Sequence, residues 1–291
     1  MRVPPVKPAP RGADDSAVAR RLLVWLTTIP VALVVGVVLY AGLVQAGLVR
    51  DPFAPVAAGE LPLARSDRHG LRVLFVGNSF TFRNDLPQIV GRLSGRPDRI
   101  FAVSFTAGGW QLRNFAANRE LERLLHQVHW DVVVLQEQSE IPSFSPDYRA
   151  REFDPYVRVL VQEIEDAGAQ PLLFETWGYR TGDRRNLPGD TFVQMQARLA
   201  WGYADAARAV HARIAPVGPA WLAALSTRPQ LDLWADDGKH PSRLGSYLAA
   251  CVFYAVLANR NPIGNEFTDG LRESDARFLQ RVAWDVTRSR Y

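Results

Sequence analysis

The chain has 291 residues, 47% of them hydrophobic, and a formal net charge of +4. That is enough apolar content for a full core in one or two domains. Lys7 and Lys239 are the only lysines, and the many arginines are scattered among acidic residues, which reads as a solvated surface and argues against a nucleic-acid binder. The single cysteine, Cys251, excludes an intramolecular disulfide, a zinc–cysteine cluster and a dithiol redox pair, and its apolar surroundings ("YLAACVFYAVL") mark it as a core thiol.

Residues 1–21 begin with a proline-rich polar stretch and read as a cytoplasmic tail. Leu22 to Val49 follows without one charged side chain, long enough to span a bilayer as a transmembrane anchor. Arg2, Lys7, Arg11, Arg20 and Arg21 precede it, so the positive-inside rule keeps the N-terminus in the cytoplasm and exports the rest. The competing reading is secretion after signal cleavage, for which Val44 to Ala46 offers an acceptable site. An uncleaved anchor is favoured because the apolar run exceeds a signal peptide's core. Residues 50–70 read as an extended linker, and residues 71–291 as the exported domain.

From Leu71 onward β-rich runs alternate with helical patterns. The expected strands are "RVLFVG", "RIFAVSF", "DVVVLQ", "QPLLFET" and "RIAPVG"; the expected helices cover Asp85–Leu93, Leu112–Val128, a segment ending near Gly168, Thr191–Ala212, Pro241–Leu257 and Ser274–Thr287. Such alternation implies about five parallel strands in a three-layer α/β/α sandwich, since parallel neighbours need crossover connections. Ligands in these sheets bind beyond the carboxyl ends of the strands.

Ser79 falls at such an end, in "VLFVGNSF". A hydroxyl there becomes a nucleophile only with a base, and the base needs a partner that fixes its tautomer. Of five histidines, His69 lies in the linker segment, while His126 and His129 close one helical pattern and His211 another. His126 and His129 could ligate a metal, but no third ligand joins them by pattern, so no metal is expected. His240 stands in the polar loop "LWADDGKHPSRLGS", three residues after Asp237, with Asp236 as the neighbour to be distinguished. Asp-x-x-His alone is a weak signal, and Pro241-Ser242 could simply open a helix. Ser79 could equally be a helix cap, although Asn84 or Asp85 offers a cap instead. Neither Gly-x-Gly-x-x-Gly nor Gly-Lys-Ser/Thr follows the first strand, which argues against a dinucleotide or P-loop site.

With the blocks taken together, the sequence resembles the SGNH/GDSL hydrolases. Gly77–Phe80 ("GNSF") looks like the nucleophile block, Thr106–Trp110 ("TAGGW") the glycine block, Leu135–Ser139 ("LQEQS") the asparagine block, and Asp237–Pro241 ("DGKHP") the Asp-x-x-His block. The resemblance covers about residues 71–262 and implies a flavodoxin-like fold and an ester hydrolase without metal or organic cofactor. Ser79 would be the nucleophile, His240 the general base and acid, and Asp237 its orienting partner. The oxyanion hole would be formed by the Ser79 N–H, a glycine N–H, Gly109 or alternatively Gly108, and a side-chain amide, Gln138 or alternatively Gln136. Two departures stand out: Asn78 replaces the usual aspartate, and the third block holds glutamines in place of asparagine.

Trp110, Trp177 and Trp234 fall in loops on the same side of the sheet and are candidates for substrate binding. The implied protein is an extracytoplasmic serine esterase on small-molecule or glycan esters, with O-acetyl groups on polysaccharide as the expected substrate. An O-acyltransferase would use the same residues, and a catalytically inactive glycan-binding relative would retain the fold.

Overall fold

The structure is a computed structural model that describes residues 55–58, 70–95 and 99–289. The expected tail and membrane anchor lie outside the described residues, as does most of the expected linker.

Six strands form one sheet: β1 (Val56–Ala58), β2 (Leu71–Gly77), β3 (Ile100–Thr106), β4 (Val132–Leu135), β5 (Gln170–Glu175) and β6 (Arg213–Pro216), in the order β1-β3-β2-β4-β5-β6. β2 to β6 are parallel and follow the order of flavodoxin-like sheets, whereas β1 adds antiparallel to β3 with Val56 opposite Thr106. Five parallel strands were expected from the alternation; β1 was not, because three residues within a proline-containing segment give no periodic signal.

Among the described residues the α-helices are α1 (Ser79–Phe82), α2 (Leu86–Leu93), α3 (Leu112–Ala116), α4 (Arg119–Gln127), α5 (Pro146–Glu152), α6 (Asp154–Asp166), α7 (Phe192–Ala209), α8 (Val217–Thr227), α9 (Arg243–Ala258) and α10 (Glu273–Arg288). α2, α8, α9 and α10 pack together in one group, and α3 to α6 in another around α6. Between them, Val73 to Val76 of β2 and Val133 to Leu135 of β4 are almost wholly buried, as a strand covered on both faces requires.

Three boundaries differ from the sequence pattern. The helix expected over Leu112–Val128 is broken, because Asn118 turns its side chain onto the N–H groups of Glu120 and Leu121 and caps a new helix. The strand expected in "RIAPVG" stops at Pro216, and Val217 begins α8. Pro241 does not open a helix: it pairs in a short bridge with Trp234, and α9 starts at Arg243 behind the cap Ser242.

Candidate active site

β2 lies between β3 and β4, so its carboxyl end is the point where successive crossovers leave in opposite directions. A crevice forms there by topology alone. Gly77 ends the strand, and a Cβ on it would sit 2.3 Å from Thr81 Oγ1 and 2.6 Å from Gln136 Oε1, so only glycine admits the tight turn into α1. Asn78 caps that helix, its Oδ1 accepting from the Phe80 N–H at 3.2 Å, and Ser79 is left without a capping task. The expected caps do other work. Asn84 Nδ2 donates to the Pro241 carbonyl (3.0 Å) and to Ser246 Oγ (2.9 Å), and Asp85 makes no side-chain cap bond to α2. Both residues hold left-handed backbone, φ 53° and 54°, a costly conformation that steers the chain from α1 into α2.

Ser79, His240 and Asp237 meet across 161 residues of sequence. His240 Nε2 lies 2.8 Å from Ser79 Oγ, and Nδ1 lies 2.5 Å from Asp237 Oδ2. Asp237 Oδ1 also accepts from the N–H groups of Lys239 and His240, each at 2.9 Å. Partial burial works against ionisation of Asp237, but the hydrogen bond with His240 and the two backbone donors outweigh it and hold the carboxyl down to about 2. The carboxylate is therefore a fixed anion that orients the imidazole. Asp236 is exposed and takes no part in this chain of bonds.

The loop carrying Asp237 and His240 is held by its own backbone and by stacked rings. Ala235 N–H donates to the His240 carbonyl (2.8 Å) and Arg180 N–H to the Gly238 carbonyl (2.8 Å), while Gly238 takes φ 68°. Phe80 stacks on Trp177 (centroids 4.6 Å, planes 4° apart), and Trp177 stacks on Trp221 (4.3 Å, 4°). Trp177 Nε1 donates to the Lys239 carbonyl at 2.9 Å, and Phe80 meets the His240 ring edge-on. One aromatic column thus connects the residue after the nucleophile to the residue before the histidine.

This corrects the reading of two tryptophans. Trp177 and Trp234 are buried, their rings covered by Phe80, Trp221 and Phe192 and their N–H groups bonded to the carbonyls of Lys239 and Gly178, so they support the loop and do not present a face to substrate. Trp110 is half-buried, with its ring tilted against Phe115.

The two glutamines separate clearly. Gln136 is fully buried; its Oε1 accepts from Asn78 N–H and Thr81 Oγ1, each at 2.8 Å, and its Nε2 donates to the Glu137 carbonyl. Both its amide oxygen and its amide nitrogen are thus engaged beneath the turn that carries Ser79. Gln138 is half-buried, and its Oε1 accepts from the N–H groups of Glu140 (2.9 Å) and Ile141 (3.4 Å), while its Nε2 has no acceptor among the described residues. In the glycine block, Gly108 and Gly109 are exposed, neither N–H donates to an acceptor among the described residues, and Gly109 takes φ 71°. The Ser79 N–H is likewise uncommitted.

Asn78 explains its own departure from aspartate: Nδ2 donates to the Trp110 carbonyl at 2.9 Å, a bond that a carboxylate could not make. The residues missed in the sequence are Phe80, Asn84 and Gln136 as supports, and Glu137. The last had one available signal, an acid between two glutamines at the end of an apolar strand with no basic residue adjacent.

The structure thus brings a serine, a histidine and an aspartate, hydrogen-bonded in this order, together at the carboxyl edge of a parallel α/β sheet. No family model matches the chain, and no curated protein does. Among solved structures it is similar to a protein from Slackia heliotrinireducens assigned to the SGNH hydrolases, at 31% identity over 64% of this chain and 97% of that one, with a TM-score of 0.52. On that relationship the chain belongs to the SGNH hydrolases. A DUF4886 family protein from Bacteroides uniformis shares the fold at 21% identity and a TM-score of 0.62, covering 75% of this chain and 95% of that one.

Proposed function

We propose that the chain is a serine esterase that hydrolyses carboxylic esters through Ser79, His240 and Asp237 and an acyl-enzyme. The observation that carries this reading is the unbroken hydrogen-bond chain from Ser79 Oγ through both imidazole nitrogens to Asp237. Ser79 Oγ attacks the ester carbonyl while His240 Nε2 takes its proton; Asp237 stabilises the resulting imidazolium. The carbonyl oxygen becomes an oxyanion held by the Ser79 and Gly109 N–H groups and Gln138 Nε2, donors that have no other acceptor. Collapse expels the alcohol, which takes the proton from His240, and water then attacks the acyl-serine by the same route in reverse. Gln138 supplies the amide that the family's asparagine would supply, which favours turnover over an inactive binding role.

The substrate we favour is an O-acetyl group on polysaccharide. The dyad beside the nucleophile is open to solvent, with 27% of the His240 and 43% of the Asp237 side chain exposed, as suits an ester borne on a polymer. The charge-free run Leu22–Val49 behind a basic tail supports placement outside the cytoplasm on a single-pass anchor. The test is hydrolysis of p-nitrophenyl acetate and of acetylated xylan by the full chain and its Ser79→Ala variant. Both activities should fall by ~10⁴-fold or more in the variant. Unchanged hydrolysis in the variant would sink the assignment, and acetyl transfer to an added sugar in preference to water would make the protein an acyltransferase.

A further inference from the structure

Three loops meet at the turn that carries Ser79: that turn itself, the glycine loop at residues 106–112, which meets it at Asn78, and the glutamine loop at residues 136–140, which meets it at Asn78 and Thr81. Three buried polar side chains tie them in pairs. Asn78 joins the nucleophile turn to the glycine loop through the Trp110 carbonyl, and Gln136 joins the glutamine loop to the nucleophile turn through the Asn78 N–H and Thr81. The third side is closed by Glu137. It is fully buried; its Oε1 accepts from Gln138 N–H at 2.5 Å and from Leu112 N–H at 3.2 Å, and its Oε2 lies 3.3 Å from the same Leu112 nitrogen.

We propose that Glu137 is a positioning residue for the oxyanion hole: its carboxyl group ties the glycine loop to the glutamine loop and fixes the gap between the Gly109 N–H and the Gln138 amide. The inference rests on the esterase reading above. The glycine loop is held at its start by Ala107 N–H on the Gly77 carbonyl (3.2 Å) and at its end by Leu112 on Glu137, with the free N–H groups of Gly108 and Gly109 between the two anchors. Gln138 receives its backbone anchor from the same carboxyl oxygen that holds Leu112. A displacement of about 1 Å in such donors costs ~10²-fold in rate.

The choice of an acid has a chemical consequence. Burial pushes the Glu137 carboxyl up to about 8, against the pull of the Gln138 and Leu112 N–H groups and of Arg113 and with a further push from Glu152. Arg113 and Glu152 pair with each other at 3.1 Å nearer the surface, and from α7 the buried Tyr203 hydroxyl, itself pushed up by burial, lies by the Glu137 backbone and is raised further by the Glu137 charge. At neutral pH Glu137 is therefore mostly protonated and holds the loops as a neutral acceptor. Ionising it places a negative charge behind the donors that must receive the oxyanion, which weakens them.

The test compares wild type, Glu137→Leu and Glu137→Gln in the full chain, with kcat and KM for p-nitrophenyl acetate between pH 6 and 9. Glu137→Leu, which removes the acceptor, should lower kcat by ~10–100-fold with KM within about threefold. Glu137→Gln keeps an oxygen acceptor and cannot ionise, so it should recover most of that loss. Wild-type kcat should decline as pH rises through about 8, and the Gln variant should lack that decline. A Leu variant with wild-type kcat and only a lowered Tm would reduce Glu137 to a packing role, and a decline that persists in the Gln variant would overturn its part in the pH profile. Should Glu137→Leu fail to fold, the wild-type and Gln profiles decide alone. Ser79-independent activity in wild type would instead refute the esterase reading.

Discussion

The two sides of the site are built by opposite means. On the acid–base side, a partly exposed loop is stiffened by short backbone hydrogen bonds and an aromatic column, and its carboxyl group is pulled down to about 2 by donors aimed at it. On the oxyanion side, three buried polar side chains close a ring, and the carboxyl among them is pushed up to about 8 by burial. Donors that outweigh partial burial make a permanent anion, and burial that outweighs its donors makes a neutral acceptor. In the proposed mechanism one side requires a charge that persists, and the other requires that charge be absent until the transition state brings it.

The largest effect that tests this contrast is loss of the permanent anion. Asp237→Asn keeps the shape of the loop but presents an amide to the imidazole, and kcat should fall by ~10³–10⁴-fold with little change in KM, measured on a short ester. A decrease under tenfold would show that the loop backbone alone orients His240.

On the other side, Gln138→Ala removes one donor and should lower kcat by ~10²–10³-fold. Gln138→Asn, with a shorter arm on the same amide, should retain part of the activity. Equal activity of Gln138→Ala and wild type would remove Gln138 from the oxyanion hole and leave the backbone donors to form it.

The smallest effect is in stability, and its sign differs between the sides. The Glu137 carboxyl is raised in the folded state from an ordinary value of 4.5 to about 8, so the unfolded chain releases its proton first and the fold loses stability as pH rises between those values. Asp237 is lowered from 3.8 to about 2, so its contribution is present above 3.8 and lost as pH falls through 2. Thermal melts of wild type and Glu137→Gln should therefore diverge steadily from pH 5 to pH 8, with a slope of at most about 1.4 kcal/mol per pH unit and the variant gaining on wild type as pH rises. Parallel melts across this range would show that Glu137 is not displaced from its ordinary titration.

Much of this plan was legible in the sequence because it is local. A strand running into Gly-Asn-Ser and an aspartate three residues before a histidine are both short-range patterns, and the parallel sheet follows from alternation. Gln136 and Gln138 could not be separated so, because both follow one strand and their amides are assigned by tertiary neighbours, namely the Asn78 N–H for one and the Glu140 N–H for the other. Trp177 and Trp234 misled for the same reason: a position in a loop does not say which way the ring turns, and here the rings turn inward onto Trp221. Glu137 was hidden because its burial is a tertiary property, created by the fit of the glycine loop against the end of β4.

The central claim, that Ser79 is a nucleophile activated by His240, is tested most directly by fluorophosphonate labelling of the purified full chain followed by peptide mass mapping. The account predicts one phosphonyl adduct on the peptide carrying Ser79, formed at a rate that collapses in His240→Ala while Ser79 remains in place. No adduct on Ser79, or labelling at an undiminished rate without His240, would contradict it.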